Sequence, residues 1–165
     1  MDTDLDGLIS KAKSLKRSGD AEGAISLANE LVQKYPDEMD SWSLRAYLHA
    51  SGSNYELATA DLTHAIAINS MEPVLFWDRG RYESKQGNYQ SAVSDFSRGL
   101  ELCDHYKDDF YREALHFFRA EALINIGKKS EALADLDHVR DGLKTWTYKL
   151  RTKAELVEEC VKLPG

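Results

Sequence analysis

The chain has few cysteine and histidine residues, which build disulfide frameworks and many metal centres and catalytic sites. Its 165 residues include only two cysteines, Cys103 and Cys160, which lie far apart in the sequence and make no disulfide framework. The five histidines have no metal-ligand spacing with one another or with a cysteine, and no glycine loop that could cradle a phosphate is present. We therefore predict no metal, no cofactor and no enzymatic activity.

Long apolar runs are also missing. No segment approaches the ~18–20 apolar residues that a membrane-spanning helix needs. The first seven residues, Met-Asp-Thr-Asp-Leu-Asp-Gly, lack the basic and apolar regions of a signal peptide. Charged residues make up 30% of the chain and hydrophobic residues 42%, which is typical of a soluble globular domain. We expect a cytoplasmic protein.

Positive charge is scarce, and the deficit is uneven. The chain has 28 Asp and Glu against 21 Lys and Arg, a net charge of −7. The first 72 residues contain six basic and twelve acidic side chains, whereas the remainder contains 15 and 16. Nucleic acids and anionic membranes would repel such a chain, so we expect neither as a partner. A protein partner with a basic surface fits better.

One segment, residues 73–102, shows a residue pattern that recurs in other parts of the chain. It predicts two amphipathic helices joined at Gly87 and Asn88. Small residues occupy positions where the two backbones must approach, and aromatic residues occupy positions where the pair must fill space. The small residues are Gly80, Ala92 and Gly99, and the aromatic residues are Phe76, Tyr89 and Phe96.

This pattern recurs along the chain at an interval of 34 residues. The small positions of the four copies are Ala12 and Ala24, Ala46 and Ala58, Gly80 and Ala92, and Ala120 and Ala132, with six extra residues before the fourth copy. A 34-residue period of helix–turn–helix units is typical of tetratricopeptide repeats. From about residue 5 to residue 140, the chain resembles that family.

The resemblance implies an all-α fold, a right-handed superhelical solenoid of antiparallel helix pairs with about nine helices in a single domain, 1–165. We place the repeats at about 5–38, 39–72, 73–106 and 113–146, and a capping helix at about 149–162. The insertion 107–112 contains no Gly or Pro. We therefore predict that it lengthens the seventh helix, which would begin at Lys107 and end at Ile126.

In tetratricopeptide arrays the first helix of each pair lines a concave surface, so the resemblance also implies a binding site. The positions that would face this groove are Ile9, Lys13 and Lys16, then Ser43, Tyr47 and Ala50, then Trp77, Arg81 and Ser84, then Phe117, Glu121 and Ile124. Aromatic residues and Arg are enriched in binding hot spots. We take as partner-binding candidates Ser43, Tyr47, Trp77, Arg81, Ser84, Phe117, Glu121 and Ile124.

An alternative remains open for the aromatic candidates. Trp77 and Phe117 could instead pack against each other, or lie under the C-terminal segment, in which Trp146 and Tyr148 could fill the groove. One subclass of the family can be set aside. The Lys and Asn residues with which some arrays clamp a chaperone's C-terminal carboxylate are replaced here by Ile9 and Lys13, Leu44, Val74 and Asp78.

Three hypotheses for function follow. The first is an adaptor that binds a partner protein or peptide through the groove. The second is a bacterial immunity-type inhibitor of a cognate, basic toxin, suggested by small size, acidity and a tail at residues 150–157 similar to those of short bacterial repeat proteins. The third is a small adaptor or chaperone for a secreted or assembly partner. The sequence leaves the oligomeric state open.

Overall fold

The computed structural model describes residues 3–107, 110–141 and 151–163, and all regular structure in these ranges is helical. The helices are α1 Thr3–Arg17, α2 Ala21–Lys34, α3 Met39–Ser51, α4 Tyr55–Ile68, α5 Pro73–Lys85, α6 Tyr89–Tyr106, α7 Arg112–Asn125, α8 Lys129–Asp137 and α9 Lys153–Lys162. The predicted all-α class and the predicted number of about nine helices are confirmed. Within the described ranges, no helix is both long and apolar enough to cross a bilayer.

The chain divides into two compact units, each with its own core. Met1–Met71 contains α1 to α4, and Glu72–Gly165 contains α5 to α9. Consecutive helices pack as pairs, most extensively α3 with α4 and α5 with α6. The core of the first unit consists of Leu5, Ala12, Ala24, Ala28, Leu31, Leu44 and Leu48. The larger core of the second unit is centred on Phe96, Phe117, Leu115, Leu123 and Leu136.

The turns within the pairs use backbone conformations that favour glycine. Gly87 and Gly127, both predicted as turn residues, have positive φ angles of 80° and 76°. Residues with a Cβ rarely adopt this region. The turn between α3 and α4 instead places Ser53 there, at φ 63°.

Small residues allow the close approach of paired helices that the repeat pattern predicted. A Cβ atom on Gly80 would lie 2.7 Å from a ring carbon of Phe96, which is completely buried. At the corresponding positions of the second and fourth pairs, Ala replaces Gly and Leu replaces Phe, namely Ala46 with Leu62 and Ala120 with Leu136. A larger side chain on one helix therefore goes with a smaller one on the other.

A two-pronged ion pair recurs in three of the four pairs, always between residues 16 apart. Arg45 binds Asp61 through Nε and Nη2 at 2.9 and 2.7 Å, and Arg79 binds Asp95 at the same distances. Arg119 binds Asp135 at 2.8 and 2.6 Å. The three pairs are Arg45–Asp61, Arg79–Asp95 and Arg119–Asp135, and each aspartate is nearly inaccessible to solvent. Because both carboxylate oxygens are held by one planar guanidinium, the pair fixes orientation as well as distance.

Two of these arginines also reach the second helix of the preceding pair. Arg45 donates from Nη1 to Oδ1 of Asn29 at 3.1 Å, and Arg119 donates from Nη1 to Oγ of Ser97 at 3.0 Å. Burial opposes ionisation of Asp135, but hydrogen bonds from Arg119 and His116 outweigh it and hold the pKa of Asp135 below its usual value. One side chain thus connects three helices.

The prediction that the insertion lengthens the seventh helix is wrong. Helix α6 continues past the predicted end near Leu102 to Tyr106, and Lys107 then adopts a left-handed conformation with φ 53° and ψ 36°. Such a residue ends a helix. Helix α7 begins only at Arg112, whose guanidinium forms an ion pair with Asp104 on α6. The described residues Lys107, Phe110 and Tyr111 therefore lie between the two helices, and Phe110 is 81% exposed.

Helix α9 closes the second unit. Thr152 and Glu155 form a reciprocal capping box at its start, so the described helix begins after the predicted Lys149. Leu156 and Cys160 are completely buried in the core with α7 and α8. Helix α9 lies within the range predicted for a capping helix, about 149–162. Trp146 and Tyr148 lie outside the described residues.

We expect Gly80→Ala to lower the free energy of unfolding by about 1–3 kcal/mol, because the added methyl group overpacks the buried Phe96 ring. The gain in helix propensity of about 1 kcal/mol offsets only part of this cost. Urea denaturation followed by circular dichroism measures the difference.

The matched control is the double variant Gly80→Ala/Phe96→Leu, which reproduces the Ala and Leu combination of the second and fourth pairs. It should recover part of the lost stability. A single variant as stable as the wild type would show that the close approach is not a constraint on this pair.

Candidate partner-binding surfaces

A groove of about 610 Å³ lies within the first unit, between the first helices of its two pairs. Its lining residues are Asp6, Ile9, Lys13 and Arg17 from α1, and Asp40, Ser43, Leu44 and Tyr47 from α3. Four of them, Ile9, Lys13, Ser43 and Tyr47, are at positions predicted to face the groove. The helical spacing of four residues places each predicted pair on one stripe of its helix.

The aromatic wall of this groove is Tyr47, which is 42% exposed. Lys16 on α1 donates a hydrogen bond from Nζ to the Tyr47 hydroxyl at 2.7 Å and lies 4.3 Å from the ring centroid. These contacts hold the phenol ring in place while leaving much of it open to solvent. A rigid, exposed aromatic side chain is a common anchor in protein interfaces.

The second unit contains an aromatic cluster built on Trp77. Its ring centroid lies 5.7 Å from that of Tyr111 and 6.2 Å from that of Phe118. The guanidinium of Arg81, one turn further along α5, lies 4.4 Å from the Trp77 centroid and 5.7 Å from the Phe118 centroid. The predicted candidates Trp77 and Arg81 therefore contact each other, and the Arg81 side chain is 27% exposed.

Asp78 adds a titratable group beside this cluster. Burial raises the pKa of its carboxyl to about 6, although Arg81 opposes the shift through an ion pair at 3.2 Å. The carboxyl therefore changes charge in the mildly acidic range. Ser84, another candidate, donates a hydrogen bond to the Gly80 carbonyl at 2.9 Å and is only partly accessible.

The candidates on α7 do not form the open wall that the sequence suggested. Phe117 is completely buried and Ile124 is 4% exposed, both within the core that includes Leu156 and Cys160 of α9. Their position on α7 faces packed neighbours, so the predicted exposure is wrong for these two. Glu121 is accessible but forms an ion pair with Arg151 at 3.0 Å, so the segment leading into α9 already occupies it.

Several residues of these surfaces were missed by the repeat pattern. Asp6, Arg17 and Asp40 line the groove in the first unit, although only one position on each turn was predicted to face it. Tyr111 belongs to the insertion that was predicted as helix, and Phe118 directly follows a predicted candidate. The helical spacing i, i+4 from Lys13 could have found Arg17, whereas nothing in the pattern indicated Tyr111.

The histidines have structural partners. His116, which occupies the position of Trp42 and Phe76, places Nδ1 2.8 Å from the Asp135 carboxylate and stacks on His138. Burial lowers the pKa of His49, and Asp61 opposes the shift. Among the described residues, no group of three or more His, Cys, Asp or Glu side chains could hold a metal ion.

Comparison with known proteins identifies the class of fold. No family model matches the chain. The chain is similar to the SGT1 homolog proteins of Homo sapiens and Bos taurus, at 26% identity over 83 residues in each case. That match covers 50% of this chain but only 23% and 25% of the two relatives, so it spans about a quarter of their length.

Solved structures agree over more of the chain. MamA superposes with a TM-score of 0.70 at 12% identity, covering 77% of this chain and 71% of MamA. YrrB, described as a TPR protein with an unusual peptide-binding site, superposes with a TM-score of 0.68 at 18% identity, covering 79% of this chain and 64% of YrrB. The TPR2B domain of yeast Sti1, in a complex with pHsp70, superposes with a TM-score of 0.66 at 15% identity, covering 72% of this chain and 94% of the Sti1 domain. The chain has the tetratricopeptide-repeat fold.

We expect the stability of an Asp78→Asn variant relative to the wild type to depend on pH. The folded wild type binds a proton at Asp78 near pH 6, whereas the unfolded chain binds one only near its ordinary value of 3.8. The wild type therefore gains stability as the pH falls from 7 to 4.5, by roughly 1–3 kcal/mol, and the variant lacks this gain.

Urea denaturation of both proteins at pH 7 and pH 4.5 gives the measurement. The difference in unfolding free energy, variant minus wild type, should decrease at the lower pH. A difference that is equal at both pH values would contradict the raised pKa.

Proposed function

We propose that the chain is a non-catalytic protein–protein interaction module that binds a segment of a partner protein in the groove between α1 and α3. The observation that supports this most directly is that Ile9, Lys13, Ser43 and Tyr47, placed together by the repeat pattern, line one groove. Two solved structures with the same fold agree with this proposal. YrrB is described as having an unusual peptide-binding site, and the TPR2B domain of Sti1 is described in a complex with pHsp70.

The dimensions and chemistry of the groove suit a peptide. Its volume of about 610 Å³ lies within the ~300–1,000 Å³ of typical binding clefts. It combines an apolar floor at Ile9 and Leu44 with exposed charges and one aromatic wall. Apolar contact with a few convergent polar groups is the usual composition of a binding site, because the former gives affinity and the latter give orientation.

In the second unit, Arg81 is the better probe of partner binding. Trp77 packs against the core, and its Nε1 atom is buried without a hydrogen-bond partner in the described part of the chain. Replacing Trp77 would therefore test folding as well as binding. Arg81 keeps about a quarter of its side chain accessible, so its guanidinium can bind an acidic group of a partner.

A second candidate function, a dedicated inhibitor of one basic protein, is supported by the charge distribution. Twelve acidic and six basic side chains fall within residues 1–72, the part of the chain that contains the groove. Such an excess accelerates association with a basic protein. The adaptor and the inhibitor differ in affinity and in their dependence on salt.

The groove predicts a position-specific cross-link. With a photoreactive phenylalanine analogue at position 47 of the full chain, irradiation in native-host extract should attach one defined protein. The same analogue at Leu57 on α4, which is 53% exposed and outside the groove, should attach none. Mass spectrometry identifies the adduct, and attachment from position 57 alone would place binding elsewhere.

Once that protein is purified, Tyr47→Ala should weaken its binding by about tenfold or more, as expected for an aromatic anchor. Isothermal titration measures the change. Micromolar binding of a short peptide from the partner would indicate the adaptor. Binding of the whole folded partner at nanomolar strength or better, with association slowed by added salt, would indicate the inhibitor.

A further inference from the structure

The charged side chains of the groove are separated by sign. Asp6 and Asp40 stand at the end formed by the starts of α1 and α3, and Lys13 and Arg17 stand towards the end of α1. All four are exposed, and none forms an ion pair within the described residues. Between the two ends lie Ile9 and the buried Leu44.

The distance between the two charged ends of the groove sets the length of an extended occupant. Lys13 and Arg17 lie seven and eleven residues after Asp6 on one helix, which is about 10–16 Å at the helical rise. An extended chain covers that distance in about three to five residues.

On the basis of the proposed function, we infer that the occupant is an extended segment of a partner protein with a basic side chain and an acidic side chain three to five residues apart. The basic side chain lies at Asp6 and Asp40, the acidic one at Lys13 and Arg17, and an apolar side chain between them contacts Ile9 and Leu44.

The charges determine which segment binds more than how tightly it binds. Exposed ion pairs contribute little to affinity, and the apolar contacts and Tyr47 supply most of it. A like charge at either end is much more unfavourable than a missing one. The two ends therefore act as a filter on the charge of the segment.

Selection from a peptide library tests this inference. The library displays random seven-residue segments between fixed linkers, so no free terminus is presented, and it is selected against the full chain. Three further selections use Tyr47→Ala, the double variant Lys13→Glu/Arg17→Glu, and the double variant Asp6→Lys/Asp40→Lys. All four replaced charges are exposed, and circular dichroism confirms that each variant is folded.

Against the wild type, enriched segments should contain one basic and one acidic residue three to five positions apart, with an apolar residue between them. Against Lys13→Glu/Arg17→Glu they should contain two basic residues at this spacing, and against Asp6→Lys/Asp40→Lys two acidic ones. A wild-type segment should bind Lys13→Glu/Arg17→Glu about tenfold or more weakly, because like charges meet. Replacing its acidic residue with Lys should restore binding.

The outcomes separate this inference from the proposed function. In one outcome, enrichment is lost with Tyr47→Ala, but the wild type and the two double charge variants enrich segments with the same charge pattern. This outcome would overturn the inference and leave the groove as the binding site. Enrichment of segments only when they end in a free carboxylate, in a second library without the C-terminal linker, would also overturn it. An absence of any enrichment that depends on Tyr47 would overturn the proposed function itself.

Discussion

The arginine–aspartate pair between the two helices of a hairpin is the constraint on which most of this structure depends. A buried ion pair adds little net stability, because desolvation of the two charges offsets most of their attraction. Its geometry is demanding, however, since the planar guanidinium donates to both carboxylate oxygens in only one orientation. In Arg45–Asp61, Arg79–Asp95 and Arg119–Asp135, it fixes the rotation of the first helix against the second. That rotation decides which side chains of the first helix face away from the hairpin.

The first hairpin lacks this constraint, and the lack bears on function. Lys11 and Leu27 occupy the corresponding positions. In this hairpin, Asp4 instead accepts hydrogen bonds from Lys34 and Tyr35 at 2.7 and 2.9 Å. These contacts are exposed, and exposed pairs contribute little to stability. Helix α1 is therefore held mainly by apolar packing. Local opening costs least where few specific contacts must break, so the α1 wall can adjust to an occupant more easily than the α3 wall.

The repeat pattern predicted the fold well because it records a packing requirement. Small residues every 34 positions are needed wherever two helices approach, and Gly80 against Phe96 shows how tight that approach is. The pattern says little about segments that depart from it. Nothing in residues 107–112 signals a helix end, because Lys107 is a residue that seldom adopts the left-handed conformation it has here. The Arg–Asp pairs were visible as residues 16 apart, but their significance depends on contacts across two helices.

The candidate site was harder to predict because residue type does not distinguish an anchor from a core residue. Phe117 and Trp77 are both typical of hot spots, yet packing against α9, Tyr111 and Phe118 uses much of their surface. Tyr47 belongs to the same residue class, but its neighbours are the short Ser43 and the charged Lys13 and Lys16, so its ring stays open. Exposure therefore follows from the size of the neighbours one turn away and on the adjacent helix. A groove persists where those neighbours are too small or too polar to close it, and the α1 and α3 stripes meet that condition.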